Sequence, residues 1–295
     1  MARPDGPLVV WLDATAQPDA AAIGGKGASL ARLAGFGFLV PPGFCLTTSA
    51  FHRQVADING EPDAGRLAAT PLVPAVGDAL AAAVEVLVGR LAAAGFAPRF
   101  AVRSSAVAED GAAMSYAGLH ETELDVAPAG IEGAVRRCWA SLWSPEAVAY
   151  RDRRNLDAAG AAMAVVVQAL IAADASAVVF TRNPVTGDED QLVLTSTRGL
   201  GDAMVAGTVT PDTTVVDKHS RAVLEFDAGD GSGGTVGPAL RPDELDALVA
   251  LSLEVEARFG LPVDIEAARA GATWFRLQAR PITTGAAAPA QVGAA

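Results

Sequence analysis

The chain changes character near residue 162. Beyond that point it reads as short β-branched runs, MAVVVQAL, AVVFT, QLVLTS, TTVV and AVLEF, parted by turn residues. Such runs are the signature of a sheet with tight connections. Before that point helical spacing dominates. Leu30, Leu33 and Ala34 recur at helical intervals, with Gly35 and Gly37 as stop signals. Residues 47–55, 75–95, 131–143 and 145–154 read as helices, the last with Ser144 as N-cap ahead of Pro145. Residues 8–12 and 100–103 read as strands, VPPGF is extended because its prolines bar a helix, and residues 59–74 look like a loop. Late in the chain a helix over 241–259 precedes VDIEAA and WFRLQA, which flank a short Arg-Ala-Gly-Ala-Thr turn and read as a hairpin. No internal repeat is visible.

With 295 residues, 51% of them hydrophobic, the chain can bury a substantial core, as one large domain or two lobes. Its net charge of −12 argues against nucleic acid as the main partner, and an anionic ligand would need a local cluster of cations. Cys45 and Cys138 stand in no metal-ligand spacing and read as buried thiols in a reducing cytoplasm. No signal peptide and no apolar run of about 18 residues is seen, so a soluble cytoplasmic protein without a membrane partner is expected. The GAAAPAQVGAA tail over 285–295 is low-complexity and is expected to be disordered or a linker.

Four segments could carry chemistry. Gly24-Gly25-Lys26-Gly27 is a glycine loop leading into a helix, where free N–H groups and the positive dipole end favour a phosphate and Lys26 adds a charge. It is not a Walker A motif. Arg103-Ser104-Ser105 ends a strand and opens a small-residue loop to Gly118, which suits a phosphate-covering flap, with Arg103 able to grip phosphate oxygens through both ends of its guanidinium. In the terminal hairpin, a turn centred near Ala272 would set Glu266 opposite Gln278 and Asp264 opposite Arg280. All four would then share one sheet face. Carboxylates, an amide and a guanidinium make a poor core and a good Mg-phosphate site. TRNPVTG, residues 181–187, is a turn after a strand, and Arg182 could point into the same site.

Together these segments resemble the nucleotide-binding domain shared by phosphoenolpyruvate synthase, pyruvate phosphate dikinase and rifampicin phosphotransferase. The matching stretches are GGKGASLARLAGFGFLVPPGFCLTTSAF, AVRSSAVAEDGAAMSYAGLHETEL, VVVQALI, AVVFTRNPVTG, GLGDAMVAGTVTPD and VDIEAARAGATWFRLQARPIT. They occur in family order and cover residues 10–284. The resemblance implies an α+β ATP-grasp over 1–284, with ATP clamped between a first lobe of about 1–160 and a second over 161–284 that carries the adenine and Mg sites. It implies that Lys26 and Arg103 hold ATP phosphates, that Gly118 and Thr122 belong to the flap, and that Gln168 and the segment to Ile171 lie at the adenine. It further implies Glu266 and Gln278 as Mg2+ ligands and Arg280 as a phosphate-binding arginine. Lys26, Arg103 and Arg280 are then the catalytic cations.

Three departures stand out. Thr195-Ser196-Thr197-Arg198 precedes Gly199 where relatives often carry acidic or small residues, and Ala267 stands where many have Trp. Full-length relatives also continue into a swivelling domain with a phosphorylatable histidine. Here His52, His120 and His219 sit in no such context. The leading expectation is the ATP-binding subunit of a split dikinase. It would pass a phosphoryl group to a carrier histidine on a separate swivelling-domain protein, for delivery to pyruvate or a specialised small molecule. The alternatives are a stand-alone small-molecule kinase and an ATP-binding regulatory pseudoenzyme.

Overall fold

The computed structural model describes residues 6–13, 19–58, 62–107, 122–154, 162–205, 207–230 and 237–282. Helices and two antiparallel sheets make it an α+β protein. The chain divides into two compact units, one of residues 1–37 and 41–170, the other of 38–40 and 171–295.

The first unit is built on a five-stranded sheet of order β1-β2-β5-β3-β4, from β1 (Val9–Trp11), β2 (Gly43–Leu46), β3 (Phe100–Ala106), β4 (Thr122–Val126) and β5 (Met163–Ala169). β5 lies at its centre and every residue in it is buried, which is why it reads as an unbroken apolar run. The first lobe is expected over about 1–160, and this strand lies just beyond that point. MAVVVQAL belongs to the first sheet, paired with β2 and β3, and the break falls after Leu170. β2 can approach β5 closely because Gly43 has no side chain, and a Cβ there would meet the Val167 carbonyl oxygen at 2.6 Å.

Helices complete this core. α4 (Pro74–Ala93) starts with Pro at its first turn and buries Val76, Leu80, Ala83, Leu87 and Leu91, a single stripe at helical spacing. α2 (Thr48–Ala56) and α5 (Ile131–Ala140) contribute Phe51 and Trp139 to the same cluster, and the Trp139 Nε1 donates to the Met163 carbonyl at 3.1 Å. α3 (Ala64–Ala69) lies in the stretch expected to be a loop. Asp63 caps it by accepting from Arg66 N at 2.9 Å, and the fully buried Leu67 anchors it. α6 (Pro145–Arg154) starts as expected, with Ser144 Oγ accepting from Ala147 N.

The second unit carries a six-stranded sheet of order β11-β10-β6-β7-β8-β9. Its strands are β6 (Ala175–Phe180), β7 (Gln191–Arg198), β8 (Asp212–Asp217), β9 (Val223–Asp227), β10 (Val263–Ala270) and β11 (Thr273–Pro281). A short α7 (Asp202–Val205) follows β7, and α8 (Pro242–Phe259) packs on β10, ending at Gly260 in the left-handed conformation. Residues 38–40 join this unit through Leu39, whose carbonyl accepts from Arg276 N at 2.9 Å, while the Arg276 guanidinium lies over the Phe38 ring. No helix among the described residues is long and apolar enough to cross a membrane.

Candidate functional site

In the first unit the glycine segment does not precede a helix. It interrupts one. α1 (Ala20–Gly35) begins at the Asp19 cap, whose Oδ1 accepts from Ala21 N at 3.0 Å, and breaks at Gly24, with φ 69° and ψ 178°. That backbone region is open almost only to glycine. Gly25, Lys26 and Gly27 therefore form the first turn of the longer segment of α1, with Lys26 half-buried. The dipole and N–H argument for an anion applies at this internal N-terminus.

β3 carries Arg103, half-buried, and pairs with Thr122 of β4 and Val166 of β5. Thr122 is exposed, and its strand is tied to α5 by the bidentate pair of Arg137 with Glu123 at 2.6 and 2.7 Å. Gln168 is buried in β5, opposite Gly43, and its Nε2 donates to the Pro41 carbonyl at 3.3 Å. It thus lies in the first of the two compact units. Ile171, also buried, opens the second unit. Gly118 and His120, most of the expected flap, and the 285–295 tail lie outside the described residues.

In the second unit the hairpin register is as expected at the site. Glu266 faces Gln278 and Asp264 faces Arg280 across β10 and β11. The route to it differs. The strands run on to Ala270 and Thr273, so the turn is only Gly271-Ala272, with Gly271 at φ 59°, as a two-residue hairpin turn of this kind favours. One residue of β11, Leu277, is unpaired between Arg276 and Gln278. That bulge brings the polar residues back onto a common face.

Arg280 Nη2 donates to Asp264 Oδ2 at 3.0 Å, and the Asp264 side chain is only 15% exposed. Asp264 Oδ1 is buried with no hydrogen-bond partner among the described residues. Burial pushes the Asp264 carboxyl above its usual range, Arg280 opposes that, and the neighbouring Glu266 charge adds to it. Gln278 is buried and Glu266 half-buried. A divalent cation fits this set. It would satisfy the orphaned Asp264 oxygen and offset two carboxylates on one face, and Gln278 offers a neutral amide oxygen. Among the described residues no cluster of three or more His, Cys, Asp or Glu gathers. Asp264 was placed on this face by alternation but left out of the expected ligand set. Its orphaned oxygen is a further polar group on that face.

Arg182, expected to be able to point into this site, has its Nη1 3.8 Å from Glu189 Oε1 in its own loop. Asn183 shapes that loop, its Oδ1 accepting from Val185 N and Thr186 N at 2.9 and 3.1 Å. The hairpin thus brings Glu266, Gln278 and Arg280 together with Asp264, while Lys26, Arg103, Thr122 and Gln168 are carried by the first unit.

A family model described as pyruvate phosphate dikinase, AMP/ATP-binding domain, matches residues 65–293. The rifampicin phosphotransferase of a Streptomyces species is 38% identical over 95% of this chain and 36% of its own length. The phosphoenolpyruvate synthase of Aeropyrum pernix is 37% identical over 74% of this chain and 29% of its own. The prodigiosin synthesizing transferase of Serratia marcescens is 36% identical over 94% of this chain and 33% of its own. The chain spans about a third of the length of these relatives. With a family match over residues 65–293, most of the chain and including the polar hairpin, the chain belongs to the pyruvate phosphate dikinase AMP/ATP-binding domain family.

Proposed function

We propose that this chain is the Mg-ATP-binding part of a dikinase-type phosphotransferase, with its two units as the lobes of an ATP-grasp. The observation that supports this most is the hairpin face, where Asp264, Glu266, Gln278 and Arg280 stand in register and one buried carboxylate oxygen lacks a partner. Glu266 and Gln278 would hold Mg2+, which supplies charge neutralisation at the phosphates when bound. Lys26, Arg103 and Arg280 would hold phosphate oxygens, and Asp264 would fix the Arg280 guanidinium. Gly118 and Thr122 are assigned to the flap over the nucleotide, and Gln168 and Ile171 to the adenine. In such a transfer the protein's contribution is positioning and charge stabilisation.

The phosphoryl group would pass to a histidine of a swivelling-domain partner on a separate polypeptide. From there it would reach pyruvate or a specialised small molecule. Relatives that carry such names are phosphotransferases and phosphoenolpyruvate synthases. Cys45 and Cys138 are buried thiols that form no disulfide, which fits a cytoplasmic setting.

Calorimetry with ATP, with and without Mg2+, tests the binding claim. One metal-dependent site per chain is expected, and no binding at millimolar ATP would overturn the reading. Labelled ATP with and without a swivelling-domain protein tests the transfer. AMP and an acid-labile phosphohistidine on the partner are expected. Conversion of ATP to ADP with a small-molecule acceptor and no second protein would refute the split arrangement.

A further inference from the structure

In an unbroken helix the Gly27 N–H would bond the Ile23 carbonyl, and the Gly25 N–H the Ala21 carbonyl. In α1 a hydroxyl from another element stands at each of these carbonyls. Ser105 Oγ, from β3, donates to the Ile23 carbonyl at 2.8 Å and accepts from Gly27 N at 3.1 Å. Thr48 Oγ1, from the first residue of α2, donates to the Ala21 carbonyl at 2.9 Å. Ser105 and Thr48 are both fully buried. A side chain inserted into the i→i−4 ladder is one of the few physical causes of a sharp helix kink. Here the inserted hydroxyl is matched by a glycine at the break.

We infer that Ser105 is the positioning residue of the glycine turn, holding α1 broken so that Gly25, Lys26 and Gly27 head a helix. Gly24 has no side chain with which to cap that helix. The Ser105 hydroxyl takes the place of the missing cap, on the N–H an N-cap would ordinarily reach, the third of the new segment. Ser105 also lies two residues from Arg103 on β3, with no register shift between them against β5, so the two side chains share a strand face. One strand thus carries both a guanidinium assigned to phosphate and the hydroxyl that shapes the phosphate turn. Thr48 supports the same break from the other side by occupying the Ala21 carbonyl.

This inference rests on the reading that the turn holds ATP phosphates, and its test separates the two. The affinities of wild type, Ser105→Ala and Thr48→Ala for Mg-ATP and for adenosine are measured by calorimetry, together with amide hydrogen exchange at Gly27. Ser105→Ala is expected to weaken ATP by about ten-fold or more, the scale of a lost buried hydrogen bond, and to leave adenosine within about two-fold. Exchange at Gly27 should accelerate relative to the rest of α1. Thr48→Ala should show a smaller loss in the same sense, and it carries the test if Ser105→Ala does not fold. Equal loss of ATP and adenosine would indicate a merely structural serine and overturn the inference. So would wild-type ATP affinity in the variant that folds. Failure of the wild type itself to bind ATP would overturn the functional reading, and the inference with it.

Discussion

A Cβ on Gly24 would stand 2.1 Å from the Ser105 carbonyl oxygen and 2.4 Å from its Oγ. No side chain fits between α1 and β3 at this point, and the backbone there is itself in a region that strains other residues by about 1–3 kcal/mol. Gly24→Ala should therefore lower the urea midpoint and abolish or greatly weaken ATP binding, because the turn must move away from β3. A variant with wild-type stability and affinity would show that the break in α1 is not needed.

Glu266→Ala removes a half-exposed carboxylate from the hairpin face. Stability should stay within about 0.5 kcal/mol of wild type, since exposed polar positions contribute little. Turnover with the partner protein should fall by orders of magnitude through loss of metal-assisted charge stabilisation. Wild-type turnover would remove Glu266 from the metal site.

The Asp264–Arg280 pair is expected to behave as a coupled unit. Arg280→Ala leaves a largely buried carboxylate without its donor and should cost about 1–3 kcal/mol, the range for an orphaned charged group. Adding Asp264→Asn in that background should recover part of the loss, because the amide carries no charge to desolvate. Strictly additive urea midpoints in the four-variant cycle would mean that the 3.0 Å contact contributes nothing.

Both thiols should be silent in the folded protein. Cys45 is fully buried, and burial pushes its thiol well above the ordinary cysteine range, so the reactive thiolate is scarce as well as covered. Cys138 is equally buried. Iodoacetamide at neutral pH should modify neither residue until denaturant is added, and both afterwards, as read by mass spectrometry. Rapid native labelling of either would contradict the packing around it.

Several features were legible because local chemistry and tertiary context agree. Alternation placed Glu266, Gln278, Asp264 and Arg280 on one face, as the structure has them. A turn centred on Ala272 was assumed, whereas the register arises from a tighter turn and a bulge whose effects add to the same pairing. α3 was missed because Gly and Pro flank it and only its Asp63 cap and Leu67 give it away. The GGKG segment was readable as a glycine turn at a helix start but not as a break inside a helix. The reason lies 78 residues downstream, in a serine that no local pattern connects to it. β5 was readable as a strand while its sheet was not, because a β-branched run announces a strand and not the sheet it joins.

The unpaired Leu277 gives the hairpin an asymmetric tolerance to changes of length. A residue lost anywhere between Thr273 and Leu277 can be absorbed by closing the slip, which leaves Glu266 opposite Gln278 and Asp264 opposite Arg280. A residue gained there has no such outlet, and a residue lost beyond Gln278 moves Arg280 away from Asp264, since each one-residue shift exchanges the two faces of a strand. The distal end of the hairpin can thus be shortened without re-aiming these four polar side chains, and one residue of β11 serves as slack between them and the turn.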